Sequence, residues 1–106
     1  MNRAELLSFL EMNLEIITDY MDADSLAKLE TQLGQYLDSA QKFIETEGIT
    51  LDLEEAGDCQ LLIMYASWLY EKRKAVSIGL NTSIVAMPRM LRWNLNNRLF
   101  HQKVGE

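Results

Sequence analysis

Cys59 and His101 are the side chains best suited to nucleophilic or metal chemistry, and their placement supports neither. They are the chain's one cysteine and one histidine, and they lie more than 40 positions apart. A zinc site needs three or four such ligands together, so no metal or cofactor site is expected. Cys59 opens an apolar run and reads as a buried, inert thiol; His101 reads as a solvated residue of the last helix. Two acidic groups, Asp19/Asp22/Asp24 and Asp52/Glu54/Glu55/Asp58, contain the ligand types that calcium takes. They lack the loop spacing and the closing bidentate glutamate, and helix capping accounts for them more simply. The glycines, at 34, 48, 57, 79 and 105, form no phosphate-cradling loop. With no acid, base or nucleophile pair standing out, the expected class is a binding protein and not an enzyme.

The residues that recognise macromolecules are concentrated near the C-terminus. Arg89, Arg92, Asn94, Asn96, Asn97, Arg98, Gln102 and Lys103 are types that reach phosphates and base edges. The chain as a whole is acidic, with a net charge of −6, which is the wrong footprint for a DNA binder. Trp93 and Phe100 are interleaved with these residues, and tryptophan and arginine are favoured anchors of protein interfaces. Trp93 therefore either anchors a partner or caps the core. A small DNA-binding protein, a regulator or packaging-motor subunit, is the alternative reading. It requires Arg89, Arg92 and Arg98 to be available to phosphates.

Four helices are expected to position these residues. The first covers about 2–12, with Leu6, Leu7 and Leu10 at helical spacing; the β-branched stretch 14–18 reads as an extended connector. The second starts at Asp22 or Asp24 and runs to a stop at Gly48, with Leu26, Leu29, Leu33, Leu37, Ala40 and Ile44 as one apolar stripe. Gly34 within it either weakens the helix or admits a close approach. An Asp52/Glu55 capping box would start the third. Residues 61–70 are apolar nearly all round, which marks a central helix buried on several sides, and Lys72, Arg73 and Lys74 suit its C-terminal pole. Residues 75–86 read as an apolar loop. Pro88 would then sit in the first turn of a short last helix carrying the stripe Leu91, Leu95 and Leu99.

The fold class that follows is all-α: one domain over residues 1–106, a small bundle of about four helices. One proline and five glycines are too few for a turn-rich β fold. No apolar run approaches the length of a membrane span, and the acidic N-terminal stretch does not read as a signal peptide. Charge is divided unevenly. Residues 1–58 hold 14 acids and three bases, whereas residues 59–106 hold two acids and seven bases. The halves either neutralise each other within the fold or associate head to tail between copies.

The stretch from Asp58 to Arg73, DCQLLIMYASWLYEKR, followed by a loop and by MPRMLRWNLNNRL from Met87 to Leu99, resembles the head–tail connector (adaptor) proteins of long-tailed phages and prophages, also labelled phage DNA-packaging proteins. The order and length of the elements are similar over nearly the whole chain. The resemblance implies a ring, usually of twelve copies, seated beneath the portal protein and offering a platform to the next neck or tail protein, with DNA passing through unread. It implies a place in the virion neck, and in the bacterial cytoplasm before assembly. The terminal segment would dock on the portal, making Arg89, Arg92, Trp93, Asn96, Arg98 and Phe100 the candidate docking residues. Lys72, Arg73, Lys74, Ile78 and Leu80 are the candidate contacts between subunits.

Overall fold

A computed structural model describes residues 1–16, 19–77 and 86–105. Among them the order is α1 (Arg3–Asn13), α2 (Ala23–Thr46), α3 (Ala56–Ser77) and α4 (Arg89–Gly105), with no strand. The fold is thus the expected all-α bundle. The last helix, at 17 residues, is not short; it is longer than α1, at 11. No described helix is long and apolar enough to cross a membrane.

Local chemistry sets the ends. Asn2 caps α1: its side chain accepts the Glu5 N–H at 2.9 Å, and the Glu5 carboxylate accepts the Asn2 N–H in return, a reciprocal box that satisfies two free donors. Of the connector expected to be extended, residues 14–16 instead close the helix, and residues 17–18 lie outside the described residues. Leu14 keeps a right-handed helical conformation and Glu15 turns left-handed at φ 57°, so the chain folds back on the last turn of α1. Asp22, not Asp24, caps α2 by accepting the Ser25 N–H at 2.7 Å. That bond holds the Asp22 carboxyl below the usual carboxylate range. Gly48, at φ +97°, ends the helix in the conformation that glycine adopts without penalty.

The start of α3 departs from the expected capping box. Asp52 Oδ1 accepts the Glu54 N–H at 3.0 Å within its own turn, while the Glu55 carbonyl takes the first helical bond, from Cys59 N–H. At the other end, α3 runs through Ser77, so residues 75–77 belong to the helix and not to the loop. Ile78, Leu80 and the rest of the expected loop at 78–85 lie outside the described residues. Pro88 sits one position before α4 and supplies the carbonyl that accepts the Arg92 N–H at 3.1 Å.

The central helix is α3, which packs against α1, α2 and α4. Leu61, Leu62, Ile63, Tyr65 and Ala66 are buried along it, with Met64, Trp68, Leu69 and Tyr70 partly so. Its absence of a polar face has this cause: three helices use three sides of it. The α2 stripe supplies Leu33, Leu37, Ala40 and Ile44; α1 adds Leu6 and Leu10; α4 adds Leu91 and Leu95. Cys59 is buried, donating to the Leu53 carbonyl.

Gly34 resolves in favour of close approach. An added Cβ would lie 2.7 Å from Arg3 Nη2, and that nitrogen donates to the Gly34 carbonyl at 3.1 Å and to Asp38. The obstructing atoms are the far end of a half-exposed arginine, which can swing away. Gly34→Ala should therefore stabilise the protein, because the gain of up to about 1 kcal/mol in helix propensity exceeds the loss of an exposed ion pair worth less than that. Thermal melts of the variant check the sign.

Candidate docking helix

The C-terminal helix presents two opposed faces. Leu91 and Leu95 are each 1% exposed, and Leu99 packs against the same core; these three positions, spaced by four, fix how α4 lies on α3. Every large apolar side chain on the opposite side stands in solvent: Met90 at 61%, Trp93 at 60%, Phe100 at 62% and Val104 at 68%. The core places Leu91, Leu95 and Leu99 inward, so the 3.6-residue period turns Met90, Trp93, Phe100 and Val104 outward together. Trp93 consequently does not cap the core. Arg89, Met90 and Trp93 line an open groove on this outer side.

A polar network holds the helix at this angle. Asp58, at the start of α3, is 5% exposed. Its Oδ1 accepts from Arg98 Nε at 2.7 Å, and its Oδ2 from Arg98 Nη2 at 3.1 Å and from the Asp52 N–H at 2.8 Å. Arg98 Nη2 also donates to the Thr50 carbonyl at 2.8 Å. One turn on, Gln102 accepts the Thr50 N–H at 2.7 Å and donates to the Gly48 carbonyl at 2.8 Å. The connection from α2 to α3 is thereby stitched to α4 by two side chains. This is a bidentate guanidinium–carboxylate pair, the strong form of the interaction.

Burial by itself pushes the Asp58 carboxyl up, but the Arg98 guanidinium and the Asp52 N–H outweigh it and hold the group below the ordinary carboxylate range. A carboxyl whose folded pKa is depressed stabilises the fold above its unfolded value, about 3.9 for aspartate, and loses that contribution as pH falls toward the folded value. Stability should therefore begin to drop below about pH 4 through this group, and Asp58→Asn should flatten that part of the profile. Equilibrium denaturation as a function of pH measures it.

The expected docking residues thus separate into two groups. Arg89, Trp93, Asn96 and Phe100 are exposed on α4. Arg98 is not free for a partner: 27% of its side chain is exposed and the rest is committed to Asp58. Arg92 is intermediate, since it pairs with Glu47 at the end of α2 and remains 44% exposed. Both pairs join the basic half of the chain to the acidic half, so part of the charge division is neutralised within the fold. Glu47 and Asp58 were not singled out by sequence as partners of α4, nor Gln102 as its tie to Gly48 and Thr50, because a network linking residues 40 to 54 positions apart leaves no local spacing.

Of the expected subunit contacts, Lys72, Arg73 and Lys74 lie near the C-terminal end of α3, and Ile78 and Leu80 fall outside the described residues. Lys72 stacks its ammonium over Trp68, 5.1 Å from the ring centroid. Arg73 and Lys74 are exposed on the last turns of α3. His101 is exposed beside Phe100, with ring centroids 6.0 Å apart.

What fold and site define is an all-α bundle whose fourth helix buries one face in the core and exposes apolar side chains on the other. No protein-family model, no curated protein and no solved structure matches the chain.

Proposed function

We propose that this protein is a structural component of a phage or prophage head–tail junction, a connector that docks on the portal protein through α4 and carries the next neck or tail protein. The observation that carries the reading is the outer face of α4. Four large apolar side chains and two basic ones, Arg89 and Lys103, stand in water on a helix whose inner face is fixed by core leucines and the Arg98–Asp58 pair. Exposed apolar side chains gathered on one side mark a surface that a partner covers. The sequence resemblance over residues 58–100 supplies the class of partner. In this reading copies assemble as a ring, DNA passes through without base readout, and the work done is mechanical linkage with no catalysis or cofactor.

The same geometry weighs against the DNA-binding alternative. That reading needs Arg89, Arg92 and Arg98 on phosphates, yet Arg98 is committed to Asp58 and Arg92, though 44% exposed, is paired with Glu47. The side of α4 that remains displays Trp93 and Phe100. Co-sedimentation with the portal protein from the same genome tests the proposal, with linear duplex DNA as a parallel probe. Capture by the portal assembly and no gel shift at low salt support it. A salt-dependent shift without portal capture would sink it in favour of the DNA-binding protein.

A further inference from the structure

The exposed side chains of α4 are ordered as well as apolar. Met90, Trp93, Phe100 and Val104 are exposed and Asn97 between them is half-buried; the five follow one another at steps of three, four, three and four residues. That is the seam of a heptad repeat, in which one helix lays knobs into the holes of another. It lies opposite Leu91 and Leu95, so the core does not use it. Met90 and Val104 are separated by 14 residues, about 21 Å along the axis, or two heptads. Asn97 occupies the middle of the seam, where a lone amide costs stability and fixes register against a matching polar group.

The flanks of the seam state what the other helix carries. Arg89, Asn96 and Lys103 border it on one side, Asn94 and His101 on the other, and no acidic residue occurs anywhere in α4. Neither Arg89 nor Lys103 pairs with a carboxylate among the described residues. An antiparallel pair of α4 copies would set Arg89 against Lys103 of the second copy, and a parallel pair would set Arg89 against Asn94 with no ion pair gained, so the flanks do not favour a symmetric pair. A helix with acidic flanks meets the same positions with attraction.

We propose that the partner engages α4 through an amphipathic helix of at least two heptads, with glutamate or aspartate flanking its apolar stripe and a polar residue opposite Asn97. This deepens the docking reading and rests on α4 being the docking element.

The test uses two synthetic peptides of three heptads, with isoleucine and leucine on the stripe and one central asparagine. One has glutamate at all flanking positions and the other lysine. Titration calorimetry against the full chain should give binding of the glutamate peptide that weakens as salt rises, and at least tenfold weaker binding of the lysine peptide. Trp93→Ala/Phe100→Ala, two exposed positions, should lose at least tenfold with an unchanged melt. Moving the peptide asparagine by one heptad should weaken binding to the wild type and not to Asn97→Leu. Equal affinity for the two peptides, or binding of neither, overturns the proposal. Portal capture without peptide binding would leave the connector reading standing and remove this one; peptide binding without portal capture would do the reverse.

Discussion

Trp93→Ala/Phe100→Ala should weaken docking by roughly 100-fold or more while leaving the melting temperature within about 2 °C of the wild type. Both rings stand more than half exposed in the free protein, so their removal takes little from the core. In a complex each would lose its remaining contact with water, and a buried aromatic anchor is worth about 2 kcal/mol or more. Two together give about 3 kcal/mol after allowing for non-additivity, which is roughly two decades in Kd. Surface plasmon resonance on immobilised portal protein reads the affinity, and circular dichroism confirms the fold. A matched pair on the inner face, Leu91→Ala/Leu95→Ala, should behave in the opposite sense: large destabilisation, with docking lost only because the helix is. An outer-face variant that docks normally would show that α4 is not the contact.

Arg98→Ala should be the most damaging single change to a polar residue. It strips the nearly buried Asp58 of its counter-charge and leaves the Thr50 carbonyl without its donor. Breaking a buried pair from one side costs about 3–5 kcal/mol. About 3 kcal/mol is expected here, the low end of that range, because 27% of Arg98 remains in water. For a chain of this size that lowers the melting temperature by roughly 15 °C. Asp58→Ala should lose a similar amount, and the double variant less than the sum. Arg92→Ala, whose partner is more exposed, should cost under about 1 kcal/mol. The contrast between the two arginines distinguishes a structural pair from a surface one. It also separates α4's attachment from its docking face, since Arg98→Ala should reduce docking only in proportion to unfolding.

The fold was legible where periodicity is long and unbroken. The α2 stripe from Leu33 to Ile44 is buried as its spacing requires, and the run 61–70 is central because three neighbours cover it. Short-range signals were less reliable. Asp52 and Glu55 have the spacing of a capping box, but the Asp52 carboxylate turns onto its own loop and its N–H onto Asp58. The β-branched character at 16–17 suggested extension, while the chain turns at Glu15, a non-glycine residue with positive φ. At the docking helix, sequence located the aromatic and basic residues but did not sort them. Arg98 and Arg89 are the same type with the same apparent availability. Only the position of Asp58, brought across from the start of α3, takes the first out of reach of a partner. The outward heptad becomes visible once the inward face of α4 is known, because a helix carrying both apolar faces has no clear polar side to orient it.

Electron microscopy of negatively stained portal assemblies, incubated with the wild-type chain and in parallel with Trp93→Ala/Phe100→Ala, tests the central claim most directly. The account predicts a ring of added density beneath the portal with the wild type, a matching gain in native mass, and bare portals with the variant. Portals that stay bare with the wild-type chain, or acquire the same ring from the variant, would contradict it.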